Sequence, residues 1–293
     1  MCRVVITGIN GYIGQYLYLT KISSITLEGT VRDEYPNFRT VLPHDIRLHK
    51  LDLNKNIFLQ LEDVHADILI HTAAMANLGV CEKQPQAADK INNTATENIA
   101  RWCAQKGTRM IYLSTDIVFD GAHAPYSEKD EPLPINVYGL TKLKGEQAVL
   151  KYVNNSVVIR IALALGKGYH ERTNFIDWIM DKLNKKEKIP LFYDEFRNPS
   201  PIAHLAKNIW EIALSKETGI FHLFGSSRFC RLDIGKIICK ALNYDADLLE
   251  PVSVHDFTAY QRPQDVTLNT NRMLYNRRLI LPGIDEVIRE ILQ

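Results

Sequence analysis

Three glycines at i, i+3 and i+6 directly after a β-branched run are the tightest constraint in this chain. Residues 3–14 read "RVVITGINGYIG", with Gly8, Gly11 and Gly14 following the strand-like stretch 3–7. A tight turn from strand to helix leaves no room for a side chain at Gly8 or Gly11. Gly14 lets the helix lie close to the strand. The open N–H groups and dipole of such a helix face phosphate, so the turn is read as a dinucleotide cradle, with Asn10, Tyr12 and Ile13 filling the loop between the glycines. The spacing Gly-x-x-Gly-x-x-Gly differs from the commoner Gly-x-Gly-x-x-Gly.

The rest of the first half alternates. Strand-like runs fall at 25–31, 47–53, 67–71, 109–114 and 157–162, with helical periodicity at 85–105 and 138–152. The short apolar cores "VVI" and "ILI" suit central strands buried on both faces. This rhythm predicts an α/β fold with a doubly wound parallel (Rossmann) sheet over residues 1–165. Residues 166–293 read less regularly, with helices at 174–184, 202–215, 232–242 and 284–292, short strands at 189–193 and 220–224, and an irregular stretch at 248–264. They are expected to form mostly a smaller C-terminal substrate-binding lobe, with some segments returning to the first domain and a cleft between the two.

Composition removes several classes of function. Lys plus Arg number 35 against 34 Asp plus Glu, which gives no electrostatic footprint for nucleic acid or a membrane surface. No apolar run reaches the length of a membrane span. The five scattered cysteines form no C-x-x-C pair, so neither a zinc site nor a disulfide framework is expected, and no metal is called for. With no signal peptide in the opening residues, a cytoplasmic, reduced protein is expected.

The second strand ends "TVRDE" (30–34), with Arg32 where the adenosine ribose of a dinucleotide would lie. A guanidinium pairs bidentately with a 2′-phosphate, which favours NADPH. If Asp33 instead holds the ribose hydroxyls, NADH is the cofactor. Further on, "VYGLTK" (137–142) sets Tyr138 and Lys142 four residues apart, on one helical face. An ammonium near a phenol favours phenolate and lowers the tyrosine pKa, so Tyr138 could exchange a proton with a carbonyl oxygen while hydride reaches the carbon. Lys142 could also hold the nicotinamide ribose. "LSTDIVFDG" (113–121) leaves Thr115 at the carboxyl end of a strand, where a hydroxyl could reach the same oxygen.

With these pieces in view, the chain resembles the extended short-chain dehydrogenases/reductases, and among them it is most similar to the dTDP-4-dehydrorhamnose reductase family. The likeness is carried by "TGINGYIG", "LDL" (51–53), "HTAA" (71–74), "INNTATENIARWC" (91–103), "LSTDIVFDG", "PYSEKDEPLPINVYGLTKLKGEQAV" (125–149), "VVIRIALALG" (157–166), "RNPSPIAHLAKNIWEI" (197–212) and "RPQDVTLNT" (262–270). The resemblance implies that Thr115, Tyr138 and Lys142 are catalytic. It implies that Asp52 and Leu53 hold the adenine, that Ala73 and Ala74 line the cofactor, and that Asn92 and Ser114 lie near it. Asn174, Arg197 and Arg262, together with Thr115, would meet a nucleotide-sugar substrate. The implied reaction is NADPH-dependent reduction of the 4-keto group of a nucleotide-activated deoxysugar, by a protein that could form a homodimer.

Two departures from that family's pattern lie near the substrate. Gly79 in "MANLGVCE" (75–82) stands where aspartate is common, and "RNPSP" replaces a Gly-x-Pro-Thr segment. They leave the sugar open. Two other functions remain compatible with the same fold: a non-catalytic regulatory subunit like that of methionine adenosyltransferase, and a nucleotide-sugar epimerase or dehydratase. Against the dehydratase stands "TDI", which lacks the glutamate such enzymes place after Asp116. His71 is read as packed against a loop rather than as an acid–base group, and the mid-strand Arg160 either pairs with an internal carboxylate or reaches the cleft.

Overall fold

The computed structural model describes residues 1–32, 46–168, 174–257, 259–269 and 282–292. Its first half supplies β1 (Cys2–Thr7), α1 (Tyr12–Leu19), β2 (Ile25–Val31), β3 (Arg47–Lys50), α2 (Ile57–Gln60), β4 (Ile68–His71), α3 (Leu78–Lys83), α4 (Pro85–Asp89), α5 (Ala95–Lys106), β5 (Arg109–Thr115), α6 (Val137–Tyr152) and β6 (Ser156–Ile161). The second half adds β7 (Ala164–Leu165), α7 (Phe175–Asn184), β8 (Ile189–Phe192), β9 (Phe196–Arg197), β10 (Ser200–Pro201), α8 (Ile202–Leu214), β11 (Gly219–Leu223), β12 (Phe229–Cys230), α9 (Arg231–Leu242), β13 (Leu249–Val252) and α10 (Ile284–Leu292).

Seven strands form one sheet in the order β3-β2-β1-β4-β5-β6-β11, all parallel. The order reverses between β1 and β4. Ligands of open α/β sheets bind outside the carboxyl ends at such a switch point. Helices cover both faces, as buried apolar strands require. On one face α1 and α8 pack over Ile6, Ile70, Ile111 and Ile159. There the Trp210 indole donates to the Leu17 carbonyl at 2.9 Å. On the other face α5 and α6 enclose Leu69, Ile99, Trp102, Tyr112 and Val149. Residues 202–223 therefore lie with the first half of the chain: α8 seals one face and β11 extends the sheet.

A third apolar cluster joins Ile176, Ile179, Leu191, Ile234, Ile238 and Val287 from α7, β8, α9 and α10 into the smaller lobe. A fourth, around Phe119, Tyr126, Ala162 and Leu268, fills the seam beside the sheet. Among the described residues, no helix is long and apolar enough to cross a membrane.

Three elements differ from the sequence reading for identifiable reasons. The third strand stops at Lys50 instead of 53, because Asp52 turns the chain. Its carboxylate accepts the Asn54 N–H at 2.9 Å, and the Gln60 amide satisfies the Asp52 backbone in place of a ladder partner. The helix read at 85–105 is interrupted by a π-turn over Lys90–Thr94. The stretch read as irregular at 248–264 contains β13, which pairs in parallel with β8 and buries Leu249.

Candidate active site

The switch point is built from backbone close to backbone. Gly8 has φ +67°, a left-handed conformation that side chains disfavour, and a Cβ there would stand 3.0 Å from Ala73. A Cβ on Gly14 would lie 2.5 Å from the Gly8 carbonyl oxygen, so α1 rests directly on the turn. Gly11, the N-cap of α1, puts no side chain over the first turn of the helix. A bare helix end of this kind suits a diphosphate, and the residues present fit a nicotinamide dinucleotide. Around it the Asn10 carbonyl accepts the Gln15 amide at 3.1 Å, and Ile13 packs into the core beneath. The Tyr12 phenol donates to the Gly166 carbonyl at 3.0 Å, bracing the chain after β7.

The far wall is set by β4. His71 is fully inside; its Nδ1 lies 2.6 Å from the Thr7 hydroxyl and its Nε2 3.1 Å from the Thr96 hydroxyl. Thr96 spends its proton on the Asn92 carbonyl, so Nε2 carries the imidazole proton and Nδ1 accepts. Burial, with Lys142 nearby, holds His71 neutral at a pKa of about 3. The imidazole thus ties β1, β4 and α5 together in its neutral form. Ala73 and Ala74 follow on the loop that faces Gly8. At the other edge, Leu51 N–H bonds to the Val31 carbonyl, which brings Arg32 beside Asp52, whose carboxyl is held low mainly by the Asn54 N–H. Leu53 packs at the rim of the core. Asp33 lies outside the described residues.

Thr115 is the last residue of β5 and caps a short 3-10 turn, Asp116–Val118, by accepting the Ile117 N–H at 3.2 Å. The first turn of α6 packs onto that turn so closely that a Cβ on Gly139 would meet the Ile117 oxygen at 2.3 Å. Asn136 caps α6 by accepting the Gly139 N–H at 2.8 Å. The contact sets the Tyr138 phenol beside Thr115 and Asp116 at the carboxyl end of β5.

The electrostatics depart from the sequence expectation. Burial, with Asp116 and Cys81 nearby, raises the Tyr138 phenol above the ordinary tyrosine range. Lys142 lies one helical turn further along α6. Its ammonium donates to the Leu113 carbonyl at 2.6 Å and sits 4.0 Å over the Tyr112 ring. Burial pulls Lys142 down to about 7, against the opposing attraction of Glu146.

Several residues expected at the ligand make internal contacts. The Ser114 hydroxyl donates to Glu146 inside the protein, and Glu146 is clamped by Arg160 at 2.8 Å, with both side chains 2% exposed. That pair answers where the mid-strand arginine goes. Asn92 is also internal. Its amide exchanges two hydrogen bonds with Met75 (2.8 and 3.0 Å) and donates to Thr141 at 3.1 Å, so it shapes the loop after β4 from behind. Asn174 caps α7, accepting the Asp177 N–H at 3.0 Å. Arg197 is buried, bonded to the Phe196 carbonyl at 2.9 Å and to Glu195 at 2.8 Å, and lies 3.5 Å from Asp116. These contacts make Arg197 a support for the crevice.

Arg262 keeps partial exposure. It pairs with Glu195 at 2.8 Å and bonds to the Tyr260 hydroxyl at 3.0 Å. Its guanidinium lies 5.2–5.8 Å from the ring centres of Phe192, Phe257 and Tyr260. Tyr260 in turn packs over Gly79, 3.4 Å from where a Cβ would stand. Arg262, Tyr260 and Phe257 line a bowl of about 320 Å³ together with Ile135 and Gln261, next to the start of α6.

Two features escaped the sequence reading. Glu195 is completely buried among Arg197, Arg231 and Arg262. Burial pushes its carboxyl up, but the three guanidiniums outweigh it and hold the pKa at about 2. No local pattern signals such a cluster, which is assembled from three separate segments. Glu146 was findable: it lies four residues after Lys142, on the face that Tyr138 and Lys142 already share.

Comparison with known proteins agrees with this architecture. A probable low-salt glycan biosynthesis reductase of Haloferax volcanii is 30% identical over 251 residues, covering 84% of this chain and 82% of that protein. The beta subunit of methionine adenosyltransferase 2 from Rattus norvegicus is 29% identical over 278 residues, 92% of this chain and 81% of the subunit. Among solved structures, dTDP-4-dehydrorhamnose reductase from Bacillus anthracis in complex with NADP superposes with a TM-score of 0.84 at 26% identity, covering 100% of this chain and 99% of that one. The profile of the RmlD substrate binding domain matches residues 2–293, and the chain belongs to that family.

Proposed function

We propose that this protein reduces the 4-keto group of a nucleotide-activated deoxysugar, using NADPH. The observation that carries the reading is the meeting of Thr115 and Tyr138 at the carboxyl end of β5, beside the glycine turn, in a chain whose family includes sugar-nucleotide reductases. The nicotinamide, when bound, supplies hydride to the carbonyl carbon. Tyr138 carries its proton throughout the physiological range, because burial and Asp116 oppose phenolate. It is therefore set up as an acid toward the developing alkoxide. Thr115 positions that phenol, and Lys142 holds the ribose side of the crevice. Arg262 faces the anionic end of the substrate, and Arg32 selects the 2′-phosphate over a free ribose.

A panel of nucleotide 4-ketosugars followed by NADPH absorbance tests this. Tyr138→Phe should lose at least about a hundredfold in turnover while keeping NADPH affinity; equal rates for wild type and variant would refute the assigned role. Arg32→Ala should raise KM for NADPH more than for NADH, and an equal rise would remove the 2′-phosphate contact.

The likeness to the methionine adenosyltransferase beta subunit, which extends over 92% of this chain, favours a second reading as a non-catalytic regulatory subunit. The same panel separates the two: NADPH binding without turnover of any ketosugar supports the subunit.

A further inference from the structure

The Thr115 hydroxyl has one proton and three polar neighbours. It accepts the Ile117 N–H at 3.2 Å and donates to Asp116 Oδ1 at 3.1 Å. The Tyr138 phenol is its third neighbour, brought alongside by the packing of the start of α6 onto the turn after Thr115. An ionised carboxylate only accepts hydrogen bonds. While Asp116 is ionised, the Thr115 proton is therefore committed to it, and Thr115 can meet the phenol only as an acceptor.

Asp116 itself is held from the other side. It is 4% exposed, and its Oδ2 is buried without a hydrogen bond among the described residues, 3.5 Å from the Arg197 Nε. Arg197 is a donor and cannot share Oδ2 with a carboxyl proton. A proton arriving on Asp116 is consequently directed to Oδ1, from which it donates to Thr115. The Thr115 proton is then freed toward Tyr138 and the oxygen of a bound ketone.

We propose that Asp116 is a positioning residue: its carboxyl, held between Thr115 and Arg197, decides whether the Thr115 hydroxyl accepts from or donates to the reacting side of the crevice. The inference rests on the reductase reading for its use, since a ketone oxygen that gains charge is stabilised by a second donor. The charged and titratable groups around Asp116 are Arg197 from β9, Glu195 just before it, Arg231 at the start of α9, and Tyr138 of α6. Burial raises the Asp116 carboxyl above the usual carboxylate range despite the attraction of Arg197.

The test uses the full-length, cofactor-free protein with ¹³Cζ-labelled tyrosine. The Tyr138 signal is assigned by its loss in Tyr138→Phe and followed by NMR from about pH 8 to about pH 4. In wild type it should shift in one step, with a midpoint above that of an ordinary aspartate, and the step should be lost in Thr115→Val. In Asp116→Asn, Arg197 holds the amide oxygen and the amide N–H donates to Thr115. The signal should then sit at the low-pH position of wild type and no longer move. No step in wild type, or an equal step in Thr115→Val, overturns the proposal, because Asp116 would then be silent or act by charge alone. The wild-type and Thr115→Val titrations decide the matter even if Asp116→Asn does not fold. Absence of ketosugar turnover alongside an intact step would refute the reductase reading and leave the switch standing.

Discussion

Lys142 gives its hydrogen bond to the carbonyl of Leu113, 2.6 Å away on β5, and rests its charge on the Tyr112 ring. The ammonium is thus anchored to the strand that carries Thr115, one helical turn from the phenol it was expected to acidify. Its pKa of about 7 lies below that of an unfolded lysine, so between pH 7 and about 10.5 the unfolded chain binds the extra proton. Stability contributed at this site therefore rises with pH across that window, and the charged form is a cost below it. Lys142→Met should stabilise the cofactor-free protein at pH 7 by about 2 kcal/mol, flatten the alkaline rise and abolish turnover. Thermal melts at several pH values read this directly. Unchanged pH dependence would mean that Lys142 titrates normally.

His71 predicts the opposite end of the pH scale. With the folded pKa at about 3 and the unfolded near 6.5, the unfolded chain alone takes up the proton in between, so stability falls as pH falls through that range. The slope from this one group is about 1.4 kcal/mol per pH unit. His71→Gln should cost roughly 1–3 kcal/mol at neutral pH, because Thr7 and Thr96 lose fitted partners. It should also show a shallower acid loss in urea melts between about pH 6 and pH 4. An acid slope identical to wild type would place the titrating group elsewhere.

Gly14 and Gly107 separate two reasons for glycine. A Cβ at Gly14 meets backbone atoms of Gly8 and Ile9 at 2.5 and 2.7 Å, and backbone cannot rotate aside. Gly14→Ala should therefore push α1 off the turn, costing on the order of 2–3 kcal/mol and at least about tenfold in NADPH affinity. Gly107 has φ +69° and open space around it. Gly107→Ala should cost about 1 kcal/mol of backbone strain and leave NADPH affinity unchanged. Equal losses of affinity, measured by quenching of protein fluorescence, would show that the turn itself is not the cradle.

The sheet was readable because its strands are short apolar runs separated by periodic helices, and α6 because Tyr138, Lys142 and the neighbouring small residues keep helical spacing. Local pattern failed where a long-range partner decides the outcome. The π-turn at Lys90–Thr94 coincides with Asn92 bonding to Met75, seventeen residues earlier, and no window of helical periodicity contains that contact. β13 carries Glu250 and Pro251 and reads as loop, yet β8 draws it into a parallel pair. Arg197 and Asn174 were placed at the substrate by motif position alone. The structure bonds them to Glu195 and to the Asp177 N–H, partners that no local pattern signals for the arginine.

Glu146 and Arg160 give the sharpest contrast between single and paired substitution. Two nearly inaccessible charges 2.8 Å apart, with the Ser114 hydroxyl completing the carboxylate, lock α6 to the ends of β5 and β6. Removing one partner strands the other in a low-dielectric interior, so Glu146→Leu or Arg160→Met alone should each cost about 3–5 kcal/mol. The double variant leaves neither charge unpaired and should recover most of that loss, falling within about 1 kcal/mol of wild type in denaturant melts. Recovery of stability should not restore chemistry. Glu146 is the carboxylate that holds Lys142 up toward its charged form, and without it the lysine neutralises at lower pH. The double variant should fold like wild type yet show its loss of activity on the alkaline side beginning at lower pH. A double variant with the wild-type pH profile would reduce the pair to a packing device and detach it from Lys142.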